Sequence, residues 1–133
     1  MSTLRLTTIS NQSGSATVPS DTVINGSAKA WVSFNGTGTV VINGSFNVTS
    51  ITDGGTGNYT VNFTNAMPDA NYGWASASYS GYPTSSAYVT ALSSVNQSNN
   101  AFRSKTTTGI NFLTIAQNGS AVDLFELCVT IFR

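Results

Sequence analysis

The chain contains no histidine, and charged residues make up only 8% of its 133 positions. Without histidine it lacks the commonest general base, the usual partner of a serine or cysteine nucleophile, and the commonest transition-metal ligand. Five basic residues stand against five acidic ones. That balance leaves no dense basic face to neutralise phosphates, which argues against nucleic acid and against an anionic membrane surface. No window approaches a transmembrane helix, and residues 1–20 hold neither the basic head nor the apolar segment of an export signal. Cys128 is the only cysteine, so no internal disulfide forms, and its place in the apolar run 124–132 reads as that of a small buried hydrophobe. Secreted domains of this size commonly carry disulfides, so the expectation is synthesis and folding in a reducing cytoplasm.

The few acids do not assemble a hydrolase. A glycosidase needs two carboxylates flanking the scissile bond. Here Asp21, Asp53 and Asp69 are scattered, and Asp123 and Glu126, three apart in what reads as the last strand, face opposite sides. The Gly-Thr-Gly-Thr and Gly-Gly-Thr-Gly strings lack the lysine and following helix of a phosphate loop. No Asp-x-Asp spacing builds a calcium site. The expectation is a protein that is not an enzyme, with no catalytic residue, no metal and no cofactor.

What is present is 40% hydrophobic and 11% aromatic residues, set among Asn, Ser, Thr and Gly. Apolar residues alternate with polar ones at period two, and helical periodicity is hard to find. The pattern predicts strands over 28–34, 39–42, 46–51, 59–63, 72–79, 87–95, 101–105, 110–116 and 122–132, with a further short strand over 4–9. Turns are expected at Asn35-Gly36-Thr37-Gly38, Asn43-Gly44, Asp53-Gly54-Gly55, 67–71 and Gly81-Tyr82-Pro83. The clearest hairpin spans 46–63. This is an all-β plan: a β-sandwich or jelly-roll-like domain of about nine short antiparallel strands over 28–133, behind an N-terminal arm over 1–27.

Three groups of residues stand out as candidate contacts. Leu4, Leu6 and Ile9 give the arm an alternating apolar edge, suited to pairing with an exposed sheet edge of a partner. Trp31 alternates against Ala28, Ala30, Val32 and Phe34, which turns it away from their core face and toward a subunit interface. Tyr79, Tyr82 and Tyr88 surround a Gly-Pro turn, and Asn99 and Asn100 lie in a Ser/Asn-rich loop. Two readings stand for that third group. Tyr faces and amide groups suit a sugar ring, and the same residues suit half-buried strands with a solvated hairpin end. The low charge also leaves little electrostatic defence against self-association.

Three strings carry a family resemblance: AKAWVSFNGTGTVVI over 28–42, SFNVTSITDGGTGNYTVNF over 45–63 and AMPDANY over 66–72. They resemble a module found at the distal ends of bacteriophage tail fibres and in short phage structural proteins. The end, AVDLFELCVTIFR over 121–133, is similar to that module's closing strand, and LRLTTISNQSG over 4–14 to its lead-in. The match is weaker over 73–105, so no residue role carries over there. The resemblance implies a virion structural protein, homotrimeric, displayed on the particle exterior and held by other tail or capsid proteins. A fibre tip would meet a host cell-surface glycan. With under thirty residues ahead of the module, the expectation is either a separate short tip subunit held by a partner or a capsid decoration protein; a free carbohydrate-binding module is a further alternative. The arm then serves either attachment or a trimer contact.

Overall fold

A computed structural model of the chain describes residues 5–79, 91–93, 104–116 and 120–133. Its strands are β1 (Thr8–Ser10), β2 (Thr17–Pro19), β3 (Ala28–Asn35), β4 (Val41–Phe46), β5 (Val48–Asp53), β6 (Asn58–Phe63), β7 (Gly73–Tyr79), β8 (Ala91–Ser93), β9 (Lys105–Thr106), β10 (Gly109–Ile115) and β11 (Glu126–Phe132). One helix, α1 (Ser20–Gly26), precedes β3.

The chain is all-β with antiparallel pairing. One sheet has the order β4-β3-β11-β7 and the other β5-β6-β10-β8, with β9 also paired to β10. The hairpins β3–β4 and β5–β6 stay within a sheet, while β4 to β5, β6 to β7 and β10 to β11 cross from one to the other. Period-two alternation turns Ala30, Val32 and Phe34 of β3 and Leu127, Val129 and Ile131 of β11 inward. They meet Tyr59, Val61 and Phe63 of β6 and Ile110 and Phe112 of β10, and all are buried. Phe34 reaches across the gap to Tyr59, edge to face at 5.2 Å, and to Phe112 at 6.4 Å. Trp74 stacks on Phe112 from the β7 side. The expected sandwich and its inward residues are therefore present.

Several local expectations give way. Asn43-Gly44 is not a turn: β4 runs through it, pairing Gly44 with Ser33, and the register slips between Ser33 and Phe34 instead. The chain bends at Asn47, whose φ is 55°, and passes there from one sheet to the other. Asn tolerates this left-handed conformation, and its side-chain amide stands in for backbone partners. Nδ2 donates to the Lys29 carbonyl at 3.0 Å, and Oδ1 accepts from the Asn65 N–H at 2.8 Å. The predicted 46–51 strand thus splits, with Phe46 ending β4 and Val48 opening β5.

The arm also differs. Its first strand is β1 rather than 4–9, and the stretch read as strandless holds β2 and α1. Gly14 at φ 69° and the Asn11 side chain, which accepts from the Ala16 N–H, close the β1–β2 turn. The last strand begins at Glu126, not at 122, because 121–125 carry the chain between the sheets. Val122 N–H bonds to the Thr114 carbonyl on one side, and Leu124 O accepts from Gly36 N–H on the other.

Candidate interaction surface

The carboxylates hold turns and crossings. Asp53 accepts from Gly55 N–H at 2.8 Å and shapes the β5–β6 turn. Asp69 accepts from Asn71 N–H and pairs with Arg133; these two donors hold its carboxyl below the usual range. Asp123 lies ahead of β11, outside the strand where it was expected, so its spacing from Glu126 is not a strand spacing. Its Oδ1 accepts from Gly57 N–H at 2.7 Å and lies 2.7 Å from the Tyr59 hydroxyl, which also reaches the Gly36 carbonyl at 2.8 Å. Burial, then the Asp123 carboxylate, pushes the Tyr59 phenol well above its ordinary range. Gly57 has to be glycine here: its φ is 67°, and a Cβ would sit 2.6 Å from the Thr114 carbonyl. Among the described residues, no group of three His, Cys, Asp or Glu is placed to hold a metal ion. No described helix is long and apolar enough to cross a membrane.

The outer face of the β4-β3-β11-β7 sheet has a different character. Paired residues share a face, and Trp31 stands opposite Phe46 on β4 and Thr130 on β11, with Ala75 beyond on β7. The next row is Gly44, Ser33, Cys128 and Ala77. Trp31 is 42% exposed and Phe46 55%. The edge of the Trp31 indole lies over Gly44, where a Cβ would be in ordinary contact at 3.5 Å. Among the described residues of this face, charge stands only at its two ends. Glu126 closes one end opposite Tyr79, and Lys29 at the other turns its ammonium back onto Ser27 and the Ile24 carbonyl. Between those ends the described residues of the face carry no charge, and two aromatic rings stand exposed on it.

The residues singled out from the sequence do not form one site. Trp31 is on the outer face, as its alternation required. Leu6 and Ile9 are exposed at the other extreme of the described chain, Ile9 within β1. Leu4, Tyr82, Tyr88, Asn99 and Asn100 lie outside the described residues. Tyr79 enters only as the last residue of β7. Sequence reading missed Phe46 as Trp31's neighbour, because the false turn at Asn43-Gly44 put it in the following hairpin. It also read Cys128 as buried, whereas the thiol is half-buried among the outward residues of β11. The Trp31–Phe46 pairing was legible in principle, from two aromatics bracketing a Gly-containing edge strand. Comparison of the chain with protein-family models, with curated proteins and with solved structures gives no match.

Proposed function

We propose that this chain is a structural protein of a tailed-bacteriophage virion, a tail-fibre or fibre-tip subunit that assembles as a homotrimer and contacts the host surface. The observation that carries the reading is the neutral outer face around Trp31 and Phe46 on an otherwise closed β-sandwich. A sandwich that has already buried its core does not need those rings exposed, whereas a subunit of an assembly does. The resemblance of 28–72 and 121–133 to distal tail-fibre modules supplies the particle, and the sparse charge suits close packing of identical copies. No catalytic role is part of this reading. The Tyr- and Asn-bearing segments around 79–100 are the proposed receptor side, with a cell-surface glycan as the partner.

Capsid decoration is the second reading, favoured by the same neutral face, which would serve equally well on a capsid lattice. Copy number and position in intact particles separate the two. A fibre subunit is expected at the tail in a small multiple of three, a decoration protein over the capsid in large excess. A chain absent from purified virions but retained on a glycan array points to a free carbohydrate-binding module and removes both.

A further inference from the structure

Nine large hydrophobic side chains are exposed among the described residues, and eight of them fall in two places. Leu6, Ile9, Val23 and Ile24 lie on the arm. Trp31, Val41, Phe46 and Phe132 lie on the outer sheet face. The arm is a two-stranded hairpin followed by a seven-residue helix with no buried residue. Such a unit is marginal by itself in water, since a lone hairpin and a helix this short both gain most of their stability from packing. It needs apolar surface to lie on. Ile24 borders a groove with Asn47, Met67, Pro68 and Arg133 of its own chain, but the arm does not cover the outer sheet face. Lys29 bonds to Ser27 Oγ and to the Ile24 carbonyl and so ties the end of α1 beside the start of β3, yet Val23 and Ile24 remain 42% and 57% exposed and Trp31 and Phe46 stay open.

We infer that the arm of one copy covers the Trp31–Phe46 face of a second copy. Donor and acceptor are different surfaces of the same chain, so the contact is heterologous, and a closed ring of such contacts leaves neither patch bare. The charges permit it: the described arm carries only Arg5 and Asp21, and the face has charge only at its ends. This inference rests on the homotrimer reading and specifies which surfaces make the trimer. The arm is then an assembly device rather than a tether to another virion protein.

The test uses the full chain with Ile24→Cys, since the native thiol of Cys128 already sits on the acceptor face. Isotopically heavy and light chains are mixed, allowed to exchange subunits and mildly oxidised, and the linked peptides are weighed. Links between position 24 and Cys128 in mixed heavy–light pairs are expected. Only heavy–heavy and light–light links, meaning an arm on its own face, overturn the inference, as does a product dominated by Cys128 joined to Cys128. A second chain, with Ile9→Asp and Ile24→Asp, guards against an unreactive geometry. Its trimer should dissociate at a concentration roughly a hundredfold higher, from two lost aliphatic contacts, with the denaturation midpoint of the dissociated chain unchanged. A variant trimer as tight as the native one also overturns the inference while leaving the homotrimer standing. A native chain that is monomeric at micromolar concentration removes the homotrimer reading and this inference with it.

Discussion

The hydroxyl of Tyr59 lies 2.7 Å from Oδ1 of Asp123, a residue 64 positions further along the chain. That contact and the 2.8 Å approach to the Gly36 carbonyl tie three connections at one end of the sandwich: the β3–β4 turn, the start of β6 and the crossing into β11. The same carboxylate oxygen holds Gly57 N–H. Tyr59→Phe keeps the ring against Phe34 and Phe112 and removes only the donor. The Gly36 carbonyl and Asp123 then lose a partner at a closed site, which should cost about 1–3 kcal/mol. Urea unfolding at constant slope reads this as a lowered midpoint. An unchanged midpoint would mean that the hydroxyl is no better placed than in water.

Alkaline pH probes the same buried phenols. Burial is the first cause that raises both Tyr59 and Tyr72, and the Tyr72 hydroxyl lies 2.9 Å from the Gly109 carbonyl. An unfolded tyrosine loses its proton near pH ~10, while burial makes these two release theirs only at a higher pH in the fold. The folded state therefore binds more protons above that pH. Stability from these groups is complete below the unfolded value and falls as the pH rises past it, by about 1.4 kcal/mol per pH unit for each tyrosine held neutral. Denaturation midpoints should run parallel for the two chains up to pH ~9 and, between pH ~10 and pH ~11.5, fall more steeply for the native chain than for Tyr59→Phe, by about one proton in the slope. Lines still parallel in that upper range would count against a phenol that stays neutral in the fold.

Period-two alternation was enough to place the sandwich. Ala30, Val32, Phe34, Tyr59, Val61 and Phe63 all point inward as their spacing required, because a half-buried strand has only two sides to choose between. The same alternation turned Trp31 outward. What alternation does not encode is where a strand stops. Asn43-Gly44 has turn chemistry, yet pairing with β3 and the Trp31 ring across Gly44 keep the chain extended there, and the bend falls on Asn47. Helix α1 was illegible for another reason. It buries nothing, so Val23 and Ile24 leave no periodic stripe to read. The Tyr59–Asp123 contact joins residues too far apart for any local pattern, and only the meeting of both sheets brings them together.

Trp31 and Val32 are consecutive on β3 and face opposite ways, which makes them a matched pair for separating assembly from folding. Val32 is 1% exposed within the core, and Val32→Ala opens a cavity between the sheets. Its cost should be about 2 kcal/mol of stability, since the surrounding strands cannot fully collapse onto the gap. Trp31 is 42% exposed, and removing its ring leaves no cavity. The intrachain loss is its cross-strand contact with Phe46, worth about 0.2–1 kcal/mol. If the outer face is covered by a second copy, Trp31→Ala should still weaken association strongly, because large aromatics at the centre of an interface carry much of its energy. Chemical denaturation and sedimentation run side by side on the two variants read both effects. The expected pattern is a crossed one: Val32→Ala unfolds earlier, and Trp31→Ala dissociates earlier. A Trp31→Ala chain that unfolds as early as Val32→Ala, with association untouched, would make the indole a prop for the β4 edge and no interface residue.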